Sequence, residues 1–346
     1  MNLKNMTRKE MEIFIVENGF PKFRATQIFE SIHGKGAEFV DDIKGIDAKL
    51  KSFLKENDHT IDSLKIVSRL DSKDEHTSKY LFLLRDHNII ESVWMKYEHG
   101  YTVCISTQVG CRMGCEFCAS TKGGLVRNLS AGEILDQIYQ IQKDLDLKIN
   151  NVVLMGSGEP FDNYEELLRF LELVHDEKGQ NMGLRHITVS TCGLVPKIYE
   201  FADLEMPVNL SISLHSPFDE ERKKIMPIAK SYTIPEIMEA CRYFFEKTGR
   251  RITFEYTLIQ GVNDRMKEVM ELAKLLRGFN AHINLIPLNE IKENEMKKST
   301  KENVVRFQKE LAKKGINATI RREMGSDIQA ACGQLRKDYL EGEELS

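Results

Sequence analysis

The feature that most constrains the fold is a regular alternation of strand and helix patterns that begins at Tyr101. Short apolar runs are each followed by a stretch with helical periodicity. The predicted strands cover residues 101–107, 151–155, 186–191, 208–214, 253–259, 283–288 and 317–321. Six βα units in series predict an α/β fold with a parallel sheet and right-handed crossovers. We therefore expect an open, partial (β/α)6 barrel with its functional groups at the carboxyl ends of the strands.

The residues before this alternation fall into two regions. Residues 1–60 have the pattern of short helices, the first of which starts at the capping-box sequence Thr7–Glu10. Residues 61–100 change to strand periodicity, with strands predicted over 78–85 and 89–96. We expect a small helical accessory domain at 1–60, a β extension at 61–100 and the α/β core at 101–346.

Composition narrows the classes of function. The 49 basic and 53 acidic side chains give a net charge of −4, which argues against a strongly basic surface that binds nucleic acid. The first residues have no apolar signal-peptide segment, and no run of about 18 apolar residues predicts a membrane span. Seven cysteines without a secretory signal indicate a reducing, cytoplasmic location.

Three of the cysteines, Cys111, Cys115 and Cys118, stand at the spacing C-x3-C-x2-C. Thiolates are soft ligands that favour iron–sulfur clusters and zinc. Three of them on one loop can hold three irons of a four-iron cluster and leave the fourth iron open for chemistry. The alternatives are a zinc site completed from elsewhere and three buried thiols without a ligand role.

Polar residues follow several of the predicted strands. Gly156-Ser-Gly-Glu-Pro160 comes after one strand, and its glycines allow a close approach of the backbone to a ligand while Glu159 could accept from an ammonium group. Ser190, the run Ser213–His215 and Asn289 come after others. Each alone fits an ordinary polar group at a strand end, but their shared edge predicts one common site.

Other titratable groups have two interpretations each. Cys332 lies between small residues, so its thiol could be a nucleophile or a buried structural group. Cys104 precedes the three-cysteine loop and should lie near the barrel mouth, whereas we interpret Cys192 and Cys241 as core residues. Glu91 lies among apolar neighbours, which by itself fits the exposed face of an edge strand.

Taken together, these motifs resemble the RlmN/Cfr family of radical S-adenosylmethionine (SAM) RNA methyltransferases. The three-cysteine loop is similar to the radical SAM signature. The resemblance covers nearly the whole chain, with matches at Phe23–Phe29, Cys104–Cys111, Ser213–Pro217, Gly261–Asp264 and Ala330–Gln334.

The resemblance implies a 4Fe–4S cluster on Cys111, Cys115 and Cys118, and two SAM molecules per turnover. The SAM contacts that it implies are Gly158, Glu159, Ser190, Ser213, Leu214, His215 and Asn289. It also implies that one SAM methylates Cys332, and that a radical from the second SAM activates this S-methyl group, which then adds to adenine. Cys104 would resolve the adduct by forming a transient disulfide with Cys332, and Glu91 would accept the ring proton.

The substrate that the resemblance implies is C2 of an adenosine in the peptidyl-transferase centre of 23S rRNA, and the adenosine 3′ of the anticodon in certain tRNAs. Glu159-Pro160 is similar to the RlmN branch, whereas Cfr-like sequences usually have Ala there, methylate C8 and confer antibiotic resistance. Ser157 departs from both branches, which generally have Met at this position. Other candidates are a radical SAM enzyme that does not methylate and a cluster-bearing redox sensor.

The resemblance also implies partners. We expect the N-terminal domain to contact RNA, a flavodoxin-like electron donor, no membrane association and a monomeric protein. Candidate RNA contacts are Lys122, Arg127, Arg321, Arg322 and the lysine-rich segment 292–301, although lysine runs are usually solvated surface.

Overall fold

The fold is built on one ten-stranded sheet, as seen in a computed structural model that describes residues 1–73, 76–290, 295–322 and 328. The strands are β1 (Lys65–Asp71), β2 (Thr77–Leu83), β3 (Ile89–Tyr97), β4 (Gly100–Cys104), β5 (Gln108–Gly110), β6 (Leu125–Asn128), β7 (Asn151–Leu154), β8 (Ile187–Thr191), β9 (Asn209–Ser213), β10 (Ile252–Leu258), β11 (Ala281–Pro287) and β12 (Ala318–Ile320). The sheet order is β1-β2-β3-β4-β7-β8-β9-β10-β11-β12, and β5 and β6 form a separate hairpin.

Ten α-helices are present in the described part of the chain; the first three precede β1, and the others connect the parallel strands. They are α1 (Arg8–Glu17), α2 (Phe23–Phe29), α3 (Ala48–Glu56), α4 (Ala131–Leu145), α5 (Tyr164–His175), α6 (Val195–Asp203), α7 (Asp219–Ile225), α8 (Ile234–Thr248), α9 (Met266–Leu275) and α10 (Lys301–Lys313). The starts of α1, α4 and α8 are fixed by capping boxes in which a Thr or Ser hydroxyl and a Glu carboxylate bond each other's backbone amides.

The predicted α/β architecture is confirmed. Strands β4 and β7 to β12 pair in parallel, and each step along the sheet from β4 to β12 crosses over through at least one helix. Strands β1, β2 and β3 extend the same sheet in antiparallel pairing up to β4. In the described part of the chain, β1 and β12 are the two edge strands of the sheet and do not pair with each other, so the barrel is open. All carboxyl ends of the parallel strands therefore meet at one edge.

The N-terminal helices pack on the α/β core. Leu3, Ile15 and Phe29 belong to the same buried apolar cluster as Ile134 and Ile138 of α4. This shared core fixes the helical region against the helix that follows the three-cysteine loop.

A buried ion pair reinforces this contact. The Lys4 ammonium lies 2.6 Å from a carboxylate oxygen of Asp136, and the second oxygen accepts a hydrogen bond from the Leu64 amide at 2.6 Å. Because a buried charge is costly without a partner, this pair ties residues before β1 to α4. The division into domains at 60 and 100 stays a prediction. No helix among the described residues combines the length and apolar character needed to span a bilayer.

Candidate active site

The three cysteines lie on a loop that is closed by the hairpin of β5 and β6. Sequence patterns did not predict this hairpin. The Cys111 amide donates to the Gly124 carbonyl at 3.0 Å, which joins the two ends of the loop. Gly110 has φ +78°, and a Cβ atom there would lie 2.0 Å from the Gly124 carbonyl oxygen. Only glycine fits at this crossing of the two strands.

Hydrogen bonds inside the loop hold the cysteine backbone. The Cys118 amide donates to the Cys115 carbonyl at 3.1 Å. The Thr121 hydroxyl donates to the carbonyls of Cys115 at 3.2 Å and Cys118 at 3.0 Å. The loop therefore has a defined conformation that its own residues maintain.

The thiol environment suits a polynuclear cluster. Cys111 and Cys115 are buried, and burial, together with the neighbouring Cys118 sulfur, raises the pKa of Cys111 to about 12. Buried thiols that repel one another as thiolates require metal cations to ionise. Among the described residues, no three His, Cys, Asp or Glu side chains converge on the position of a single ion. Three thiols on one loop are one ligand short of a closed zinc site, whereas they match a four-iron cluster that leaves one iron open.

The turn after β7 packs directly against the segment that leads to this loop. A Cβ atom on Gly156 would lie 2.6 Å from the Ile105 carbonyl oxygen, and one on Gly158 would lie 2.7 Å from the Gln108 side chain. The Ser157 carbonyl accepts from the amides of Thr107 at 2.9 Å and Gln108 at 3.1 Å. Close packing within the chain thus accounts for both glycines.

Glu159 links two strand ends. Its carboxylate is buried and accepts from the amides of Cys192, at 2.7 Å, and Phe161, at 3.0 Å. Burial raises the pKa of Glu159, and these amide bonds oppose the shift. The predicted SAM contacts Gly158 and Glu159 thus lie on the turn that touches the segment before the cysteine loop. Their role toward SAM stays a prediction.

The other predicted SAM contacts lie at the carboxyl ends of neighbouring strands. Ser190 is in β8 and Ser213 ends β9, while Asn289 is exposed just after β11. The Leu214 side chain is fully buried in the apolar core, so only its backbone could contact a ligand in the site. The structure brings these residues to one edge, as expected.

His215 is held as a neutral ring. Its Nδ1 atom accepts from the Thr257 amide at 3.0 Å, and its edge contacts the Phe117 ring with centroids 4.7 Å apart. Burial, together with the nearby Arg222 charge, lowers the pKa of His215 to about 3. Because Nδ1 accepts, the proton is on Nε2, which makes that atom a hydrogen-bond donor. Phe117 lies between two of the loop cysteines, so the ring touches the cysteine loop.

Sequence reasoning missed two buried polar groups at this edge. Asn263 is fully buried and donates to the carbonyls of His215 at 2.7 Å and Thr257 at 2.6 Å. Its inclusion in the motif Gly261–Asp264 was the only available signal. Arg222 is also fully buried, although its helix consists mostly of charged residues that predict a solvated face.

Glu91 does not lie on the exposed face of an edge strand, because β3 is flanked by β2 and β4 and the residue is buried. The interpretation of Glu91 as exposed is therefore wrong. Its carboxylate lies 3.3 Å from the ammonium of Lys79, a fully buried residue that the sequence did not single out.

Cys104 is close to this pair. It is buried at the carboxyl end of β4, opposite Val93 in the register, and packs with Met95 and Met155. Glu91 is two residues from Val93 on the same strand, so its side chain shares a face of the sheet with that of Cys104. Cys332 lies outside the described residues. Cys241 is in the apolar core as expected, whereas Cys192 is buried in a cluster with Cys115.

Candidate RNA contacts near the site have acidic neighbours. Arg127 pairs with Glu133 at 2.8 Å and with Asp86 at 2.5 Å. Lys122 lies 3.6 Å from Glu116. These two are therefore less available for phosphate than the sequence alone implies. Arg322 is exposed and Arg321 half-buried, and residues 291–294 lie outside the described part of the chain.

Known proteins share both the sequence and this architecture. Residues 105–273 match the Radical SAM superfamily, and residues 1–59 match the ribosomal RNA large subunit methyltransferase N-terminal domain. A protein of Clostridioides difficile named "probable dual-specificity RNA methyltransferase RlmN" is 53% identical, covering 97% of this chain and 98% of its own length. A protein of the same name from Alkaliphilus oremlandii is 54% identical, covering 99% of both chains.

A solved structure agrees with this likeness. The crystal structure of a radical SAM methyltransferase from Sphaerobacter thermophilus superposes with a TM-score of 0.91 at 41% identity. The match covers 96% of this chain and 98% of that one, so the helical region, the β extension and the α/β core all recur together.

Proposed function

The chain belongs to the RlmN family of radical SAM RNA methyltransferases, and we propose that it methylates C2 of an adenosine in RNA. The observation that carries this proposal is the likeness, over nearly the full length of both chains, to proteins named dual-specificity RNA methyltransferases. The same likeness favours C2 over the C8 methylation of Cfr-like proteins.

We infer two RNA substrates, an adenosine in the peptidyl-transferase centre of 23S rRNA and the adenosine 3′ of the anticodon in tRNAs. C2 of adenine is not nucleophilic, so direct polar transfer of a methyl group from SAM fails at this atom. When bound, the 4Fe–4S cluster and SAM supply a 5′-deoxyadenosyl radical that overcomes this barrier. Cys111, Cys115 and Cys118 would hold the cluster.

The SAM contacts that we propose are those that the family resemblance implies. Glu159 and the backbone of Gly158 would receive the amino group of SAM, and the Nε2–H of His215 would donate to an acceptor atom of the ligand. The remaining contacts are Ser190, Ser213, the Leu214 backbone and Asn289. Supporting this assignment, the elements that carry these residues are fixed by buried hydrogen bonds such as that from the Cys192 amide to Glu159.

The residues of the chain carry the methyl group and the proton. Cys332 would accept a methyl group from one SAM, which leaves as S-adenosylhomocysteine. After that methyl group gives up one hydrogen atom to the 5′-deoxyadenosyl radical, its carbon would bond to C2 as a covalent adduct. Glu91 would take the proton from C2, and Cys104 would attack the sulfur of Cys332 to release the product and form a disulfide. The placement of Glu91 and Cys104 on one face of the sheet supports a shared role.

Partners and location complete the proposal. A flavodoxin-like protein would supply electrons, and the N-terminal helical domain would contact RNA. We propose a monomer that works in the cytoplasm, where its RNA substrates are found.

Mass spectrometry of digested RNA tests the proposal. Reconstituted protein, reductant and SAM are incubated anaerobically with 23S rRNA or tRNA from cells that lack the modification. We expect 2-methyladenosine in both RNAs, whereas 8-methyladenosine would support the Cfr-like alternative. Absence of 5′-deoxyadenosine would support a redox sensor without turnover.

A cysteine variant tests the covalent route. Cys332→Ala should retain the cluster and lose methylation, with Cys241→Ala as a matched control at a core cysteine. Methylation by Cys332→Ala at the native rate would show that no S-methylcysteine is involved.

A further inference from the structure

Arg222 is a buried cation without an acidic partner. Its guanidinium is fully buried and donates to three carbonyls, from Nε to Leu214 at 3.0 Å and from Nη2 to Cys192 at 2.7 Å and Ser213 at 3.1 Å. The Nη1 atom is buried and makes no hydrogen bond. The ion pairs of the described residues include none to Arg222.

Burying such a charge is costly unless an anion compensates for it. Carbonyl dipoles solvate a guanidinium only in part, and arginine does not escape the cost by losing its proton. The free N–H groups on Nη1 therefore indicate that the compensating anion is supplied by something that the chain binds.

The surroundings of Arg222 identify that anion. The cysteine loop contacts the end of the same helix, since the Glu116 amide donates to the Ile225 carbonyl at 3.0 Å. A Cβ atom on Gly114 would lie 3.3 Å from Pro227, just after the helix. Arg222 donates to the Cys192 carbonyl at 2.7 Å, and Cys192 is buried in the same apolar cluster as Cys115. The helix that carries Arg222 therefore packs against the cysteine loop, and its guanidinium binds a residue that is clustered with Cys115.

We propose that Arg222 is the internal counter-cation of the iron–sulfur cluster and raises its reduction potential. The oxidised four-iron core with three thiolates carries a single net negative charge, which doubles when the core accepts one electron. A fixed buried cation stabilises the more negative state more strongly, so it favours reduction. Arg222 is therefore a positioning and tuning residue that touches neither RNA nor the transferred methyl group.

The test is a potentiometric titration of the reconstituted protein without SAM or RNA. Dithionite supplies one electron to each cluster, and no proton or bond is exchanged. We expect Arg222→Gln to lower the equilibrium constant for reduction about tenfold, a shift of about 59 mV to more negative potential for one electron. Glutamine removes the charge and keeps one amide NH2 group as a donor for the carbonyls. Arg222→Lys should keep a potential close to that of the native protein.

Arg250→Gln is the matched control. Arg250 donates to Asn209 at the amino end of β9, whereas Arg222 donates to Ser213 at its carboxyl end. Removing this charge, at the far end of the strand, should leave the potential unchanged.

An Arg222→Gln protein that holds four irons and has the native potential would overturn the proposal. If Arg222→Gln fails to fold or to hold iron, the potential of Arg222→Lys is the test. A potential below that of the native protein in Arg222→Lys would also overturn the proposal. The proposal rests on the cluster that the family binds. Since the assay contains no RNA, its outcome is independent of whether adenosine is the substrate.

Discussion

The Lys79 ammonium lies 3.3 Å from the Glu91 carboxylate, and both side chains are buried between neighbouring strands of the sheet. Lys79→Met would leave a buried carboxylate beside a methionine. Because breaking a buried pair from one side is costly, we expect a loss of about 3 kcal/mol in the free energy of unfolding. Urea denaturation of the apo-protein measures this loss in the free energy of unfolding. The double variant Lys79→Met/Glu91→Leu should recover most of that loss, and failure to recover would mean that the ion pair does not dominate this site.

Glu91→Gln separates proton transfer from the radical step. If Glu91 removes the C2 proton, methylation should fall by about 10²- to 10⁴-fold, the usual range for a general base. Cleavage of SAM to 5′-deoxyadenosine should continue, because that step precedes proton removal. Quantifying both products in one anaerobic reaction checks this. Equal methylation by Glu91→Gln and native protein would assign the proton to another acceptor.

Gly110→Ala tests the crossing that closes the cysteine loop. The added Cβ would meet the Gly124 carbonyl oxygen at 2.0 Å in a backbone conformation with φ +78°, so the hairpin must open. We expect iron content after reconstitution to drop by at least about half, with a loss of about 1–3 kcal/mol in stability. Gly123→Ala is the matched control, since a Cβ there meets nothing within 4 Å. Full iron loading in Gly110→Ala would show that the loop adapts.

His33 gives the protein a pH-dependent stability. Burial, together with the Lys4 charge, lowers the pKa of His33 to about 3, against about 6.5 in an unfolded chain. The unfolded state therefore binds the proton more readily, so stability is complete above about pH 6.5 and falls as the pH drops toward 3. We expect His33→Phe, which keeps the ring packing against Phe29, to reduce the slope by about 1.4 kcal/mol per pH unit between pH 6 and 4. Denaturation of apo-protein at several pH values measures the slope. An unchanged slope would contradict this assignment.

The parallel core could be predicted from sequence because its strands are buried on both faces. The predicted strand at 186–191 is observed as Ile187–Thr191, and that at 253–259 as Ile252–Leu258. Continuous apolar runs report such strands directly. β1 was missed because Lys65–Asp71 is a largely exposed edge strand with polar and charged side chains. The hairpin of β5 and β6 was missed because its strands have only three and four residues, too few to show a clear strand periodicity.

The candidate site also contains some residues that the sequence predicts and others that it does not. The three cysteines could be predicted from their motif spacing. The strand-end residues could be predicted because they follow recognisable apolar strand segments. The burial of Lys79 and Arg222 could not be predicted, because a charged residue in a sequence normally indicates a solvent-exposed position. Lys79 is buried on β2, which lies between β1 and β3, and Arg222 is buried where its helix bonds to the strand end at Leu214.

The depth of Glu91 has a consequence for the nucleic acid. A carboxylate that is only 3% exposed cannot touch a base that stays stacked in a helix. If Glu91 accepts the C2 proton, as proposed, the target adenine has to be extruded from its neighbours, at a cost of a few kcal/mol for unstacking that is smallest for nucleotides already unpaired. Adenosines in loops should therefore be modified in preference to those in duplexes, even where the surrounding nucleotides are identical.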